Sequence, residues 1–96
     1  MPDFARVTYT DKSGTVTAGG TAQTLMGARA SRQGFVVQNL SATDLYINAT
    51  GTAAANSGSI RIAAGNLYEC PNHAVPITAV SIFGATPAQA FTAYEY

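Results

Sequence analysis

Along most of this chain apolar and polar residues alternate with a period of two, and no stretch of useful length carries the roughly 3.6-residue period of a helix. The densest β-forming run is residues 34–48, where Phe35, Val36 and Val37 open the run, Leu45, Tyr46 and Ile47 close it, and a polar stretch breaks it once. That pattern predicts a hairpin of two core strands. In the first arm Phe35, Val37 and Asn39 share one face, and Val36, Gln38 and Leu40 share the other. Both faces are largely apolar, so this strand is expected to lie centrally in a sheet.

Shorter strands are predicted on either side. Residues 4–10 alternate and form the first, ended by a turn of Asp11, Lys12, Ser13 and Gly14. Residues 15–18 and 21–26 are strand-like, separated by Gly19 and Gly20, a pair that marks a bend where a strand can change sheets. Residues 27–33 form a loop holding Arg29 and Arg32. After the central run, residues 49–58 are small and polar with no large apolar anchor, which predicts a long surface loop and the most mobile segment. Residues 59–62 and 67–70 are expected to pair as a second hairpin around a turn at 63–66, and Pro71 stops it. Residues 77–83 carry Ile, Val and Phe on both faces and form a second central strand. In the closing strand, residues 88–96, Phe91 and Ala93 lie on one face and Ala90, Thr92, Tyr94 and Tyr96 on the other. About eight short strands and no helix predict one all-β domain over residues 1–96, an antiparallel two-sheet sandwich of jelly-roll type.

Composition narrows the function classes. Charged residues make up 10% of the 96, against roughly 25% in ordinary soluble domains, and the formal net charge is +0. Small polar residues must therefore cover the outside, and such a surface repels its neighbours weakly. Aromatic residues near both ends (Phe4, Tyr9, Phe91, Tyr94, Tyr96) are expected to be hidden between subunits, in a cyclic homotrimer. Nucleic acid and anionic membranes call for clustered Lys and Arg. Here Lys12 is the only lysine and the arginines are scattered, so neither partner is expected. The start of the chain lacks the pattern of a signal peptide, and no apolar run approaches the roughly 20 residues of a membrane span. Synthesis in a cytoplasm is expected.

Candidate chemistry is sparse. His73 follows Cys70 by three residues, but one His and one Cys cannot build a zinc site, and a catalytic pair would need both at a cleft. A buried or edge Cys70 and a loop His73, both chemically silent, are expected. The carboxylates Asp3, Asp11, Asp44, Glu69 and Glu95 are spread over separate elements, and no tryptophan is present to stack a sugar. Glu69 and Glu95 are expected to pair with Arg29, Arg32 or Arg61 on a neighbouring strand or subunit. Gly19-Gly20 and Gly27 lack the strand–loop–helix setting of a phosphate cradle. The sequons at Asn39 and Asn48 are chance matches. Arg29 and Arg32 suit either an anionic group or, as favoured here, a neighbour's carboxylate, since arginine is enriched at interfaces. No cofactor, metal or catalytic residue is predicted.

The succession Gly19-Gly20-Thr21-Ala22, then residues 32–41, Asp44-Leu45-Tyr46-Ile47, residues 59–69, Val80-Ser81-Ile82-Phe83-Gly84 and Phe91-Thr92-Ala93-Tyr94-Glu95 resembles small virion structural proteins of tailed bacteriophages. The resemblance lies in the pattern of strands and turns. It implies a non-enzymatic capsid decoration (cement) protein, commonly trimeric, made in the bacterial cytoplasm and seated on the outer capsid surface, with the major capsid protein lattice as partner. Phe4, Arg29, Arg32, Tyr94 and Tyr96 are the expected interface residues, and loop 49–58 is a further candidate for shell contact. The alternative is a tail-fibre or baseplate-associated receptor-binding module. A small enzyme of cupin-like shape is disfavoured by the single histidine.

Overall fold

The computed structural model describes residues 8–56, 58–71 and 73–96. Their strands are β1 (Thr10–Asp11), β2 (Gly14–Thr15), β3 (Gln23–Met26), β4 (Phe35–Asn39), β5 (Leu45–Asn48), β6 (Ile60–Ile62), β7 (Leu67–Glu69), β8 (Val80–Gly84) and β9 (Ala90–Glu95). Among the described residues there is no helix. The strands form two antiparallel sheets. The first runs β1/β2–β9–β4–β7 and the second β3–β8–β5–β6, so both expected central strands, β4 and β8, lie inside their sheets. Strand β8 begins at Val80, later than expected, and Ile77 is exposed.

Neither expected hairpin forms. β4 pairs with β9 and β7, whereas β5 pairs with β6 and β8 in the opposite sheet. The supposed turn at 40–44 is therefore a crossing between layers. Likewise β6 and β7 lie in different sheets, and of the links between successive strands from β3 onward only β5 to β6 stays within one sheet. The physical reason is that period-two alternation sets which side chains face inward and says nothing about which edge a strand will meet. Chain segments that cross between layers leave backbone groups off the ladders, and these must find side-chain partners. Asn39 and Gln89 supply them, as described below.

The expected turn at residues 11–14 is also absent. Thr10 lies opposite Glu95 and Gly14 opposite Phe91, so β1 and β2 keep one register along β9. At the break, Lys12 N–H still donates to the Ala93 carbonyl (2.7 Å), while the Ser13 hydroxyl accepts from Ala93 N–H (2.9 Å). Turn-forming residues are tolerated there because this is a sheet edge, where Asp11 can accept from Ser13 N–H. Most of the expected first strand, Phe4 included, lies outside the described residues. The glycine bend does carry the chain from one sheet to the other. A Cβ on Gly19 would lie 2.6 Å from the Ala85 carbonyl oxygen, and Gly20 adopts φ +76°.

The core between the sheets gathers Val16, Leu25, Met26, Phe35, Val37, Leu45, Ile47, Ile62, Cys70, Val80, Ile82, Phe91 and Ala93. Leu25 and Met26 are adjacent yet both buried, because the register of β3 on β8 shifts between Thr24 and Met26, as at a β-bulge. Phe91 is thus a core residue, a correction to its expected place between subunits. On β9 the alternation reads as expected, with Phe91, Ala93 and Glu95 buried and the intervening residues half-buried.

Candidate interaction surface

Five polar side chains, Arg32, Asn39, Asn48, Gln89 and Glu95, are taken up inside the fold. Asn39, fully buried at the end of β4, donates through Nδ2 to the carbonyls of Thr43 (2.7 Å) and Ile62 (2.8 Å). Its Oδ1 accepts from the Ser41 N–H and hydroxyl. Asn48, at the end of β5, repeats the device: Oδ1 accepts from Thr50 N–H, the Thr50 hydroxyl and Gly51 N–H. The two sequons are therefore strand-end clasps, an Asn gripping the hydroxyl residue two places on. Gln89, also buried, donates to the Ser41 hydroxyl and to the carbonyls of Thr43 and Asp44. Asn39 could have been read as internal, because it shares a face with Phe35 and Val37; nothing in the pattern marks Gln89.

Arg32 is likewise internal, which corrects its expected role as a surface contact. Its side chain has no exposure, and Nε donates to Glu95 Oε1 at 2.9 Å. Nη1 donates to the carbonyls of Pro76 (2.6 Å) and Thr78 (2.9 Å), and Nη2 to that of Gly27 (2.6 Å). The guanidinium lies 6.0 Å from the Phe35 ring centroid. One arginine thus ties loop 27–33, the segment before β8 and the end of β9 together. The expected pairing of Glu95 with an arginine on a neighbouring element is met within the chain, and Lys12 approaches the other carboxylate oxygen at 3.8 Å.

The outer face of the first sheet has the opposite character. Tyr9 stands edge-on to both Tyr94 (centroids 4.8 Å apart) and Tyr96 (4.9 Å). Tyr96 packs down on Gly34, where a Cβ would come within 2.5 Å of the ring, so the glycine makes room for the aromatic cluster. Val36 lies buried between Tyr94 and Glu69 across the register, Gln38 lies between Thr92 and Leu67, and Leu40 follows at the far end. Tyr9, Leu40 and Leu67 are each more than half exposed. Asp11, opposite Tyr94, and Glu69 flank the face on either side. Burial, then the neighbouring Glu69 carboxylate, raises the Tyr96 hydroxyl above its usual pKa and keeps it neutral. Hydrogen bonds from Ser13 hold Asp11 below the usual carboxylate range. A hollow of about 520 Å³ opens among Tyr9, Asp11, Ser13, Thr92 and Tyr94.

Arg29 sits on the other side of the same end. Its N–H donates to the Ile77 carbonyl at 2.8 Å, and its Nη1 is buried with no hydrogen-bond partner among the described residues. Loop 49–58 reaches this end as well, since the Thr78 hydroxyl donates to the Ala49 carbonyl at 2.6 Å. That loop is not merely superficial. Ala53 is buried, its N–H donates to the Ser81 hydroxyl, and Ala54 N–H donates to that of Ser59. An uncharged cleft of about 530 Å³ lies between Thr24, Thr50, Thr78 and Ser81. Cys70 is a buried free thiol that accepts from Phe35 N–H at 3.2 Å, while His73 is exposed. Among the described residues no group of three His, Cys, Asp or Glu is placed to hold a metal ion. Comparison with protein-family models, with curated proteins and with solved structures finds no match.

Proposed function

We propose that this chain is a non-enzymatic structural protein of a bacteriophage particle, a decoration protein that self-associates and binds the outer surface of the capsid. The observation that carries the reading is the outer face of the first sheet, where Tyr9 clusters with Tyr94 and Tyr96, and Leu40 and Leu67 stand exposed further along. Such a face is soluble only at a cost unless a partner covers it. Strand order adds support: β1 lies beside β9, β3 beside β8, and every link from β3 onward except β5 to β6 crosses between layers, an arrangement compatible with the sandwich folds used in viral shells. The exposed Ile77 and loop 49–58 lie together at one end and suit contact with the capsid lattice. Several weak contacts made by one oligomer become tight binding through effective concentration.

The test is to add the purified protein to phage shells assembled without it, then measure bound copies and the temperature at which the shells open. Near-lattice occupancy with a raised opening temperature is expected, because binding favours the state that presents the sites. Failure to bind shells refutes the reading. A second reading, a receptor-binding module of the tail, is favoured by the hollow at Tyr9 and Tyr94, where aromatic rings adjoin Asp11, Ser13 and Thr92, groups able to hydrogen-bond a sugar. It predicts saturable binding of host glycans and only a few copies per particle.

A further inference from the structure

Among the described residues one cation, Arg29, has no carboxylate within ion-pair distance. Among the described residues Lys12 and Arg32 meet Glu95, and Arg61 meets Asp44 at 3.7 Å. Arg29 forms no ion pair with any of these, and one of its guanidinium nitrogens is buried without an acceptor among the described residues. A buried, unpaired donor is unfavourable, so movement of this side chain onto an external carboxylate is favoured. Among the described residues the side-chain carboxylates without a cation are Asp11 and Glu69, and these two flank the tyrosine face. Three clustered phenol rings between two carboxylates form an electronegative, aromatic surface suited to a guanidinium, which is attracted both by ring faces and by carboxylate oxygens.

We propose that this face receives the Arg29 side chain of a second copy of the chain. The inference rests on the self-association proposed above and names the surfaces that make it. Arg29 is anchored beside the segment leading into β8, in the second sheet, whereas the tyrosines stand on the outer side of the first sheet. Donor and receptor thus lie on different layers, and one contact leaves the complementary patch of each copy open to the next. A contact of this kind is heterologous and closes only as a ring, which matches the expected trimer. The low charge elsewhere means little repulsion opposes the approach.

Charge reversal tests this on the full chain. The dissociation constant for self-association is measured by sedimentation equilibrium for the wild type, Arg29→Glu, Glu69→Arg and the double reversal. Each single reversal is expected to weaken association by roughly tenfold or more, and the double reversal to recover most of the loss. Tyr9→Ser is expected to weaken it as well. Glu69 and Tyr9 are exposed, so these two variants decide the matter even if Arg29→Glu folds poorly; unchanged β-type circular dichroism confirms their folding. A wild type that assembles while Glu69→Arg and Tyr9→Ser leave its association unchanged overturns this assignment and spares self-association. A wild type that is monomeric at micromolar concentration overturns both.

Discussion

Arg29 and Arg32 stand three residues apart in one loop, yet the fold treats them in opposite ways. Arg32 donates to Glu95 and to the carbonyls of Gly27, Pro76 and Thr78, and its side chain is wholly enclosed. Arg29 finds no hydrogen-bond acceptor for Nη1 and no carboxylate among the described residues. What separates them is the supply of acceptors. The crossing segments deliver backbone carbonyls and one buried carboxylate to Arg32, while Arg29 meets a single backbone partner through its own N–H. An arginine that is satisfied holds a fold together, and one left with an unpaired nitrogen adds little to it.

The largest effects should come from breaking the satisfied member. Arg32→Met or Glu95→Gln alone leaves a buried group without its partner and is expected to destabilise the chain by about 3–5 kcal/mol in urea unfolding. The double change to Met and Leu should recover a good part of that. Arg29→Met is the matching control, expected to shift stability of the isolated chain by less than about 1 kcal/mol, because it removes an unpaired nitrogen. Equal losses at the two positions would erase the distinction drawn here.

A smaller effect should appear in alkali. The Tyr96 hydroxyl holds its proton more tightly in the folded chain, chiefly through burial and then through Glu69. Its contribution is therefore fully present below about pH 10, the unfolded value, and is lost as the pH rises through the raised folded value. Tyr96→Phe should flatten the fall in stability seen by urea unfolding between neutral pH and pH 11. An identical pH profile in wild type and variant would show that Tyr96 is not set in the face as described.

Much of the fold was legible because alternation reports faces directly. That Phe91 and Ala93 share one face of β9 and Tyr94 the other, that both central strands are central, and that the sheet changes at Gly19 and Gly20 follow from residue types alone; which face of β9 turns inward does not, and Phe91 is in the core. Strand neighbours were not legible. The run from Phe35 to Ile47 has every local mark of a hairpin, and its crossing between layers is held by Asn39 on the carbonyl of Ile62 and by Gln89 on those of Thr43 and Asp44, partners distant in sequence. For the same reason Arg32 read as a surface residue. A loop arginine is told from an internal one only by acceptors that the sequence does not place next to it. Tyr94 and Tyr96 were readable as sharing one face from their parity on β9, whereas the carboxylates that flank them became visible only through the cross-strand register.

The central claim is that the chain self-associates through the tyrosine-bearing outer face of the first sheet and, so assembled, binds the outside of a capsid. Its most direct test is to locate and count the protein in intact phage particles by electron cryomicroscopy with quantitative mass spectrometry. The account predicts ordered density on the outside of the head, with copies in a fixed ratio to the capsid subunits. A few copies confined to the tail, or absence from the particle, would contradict it.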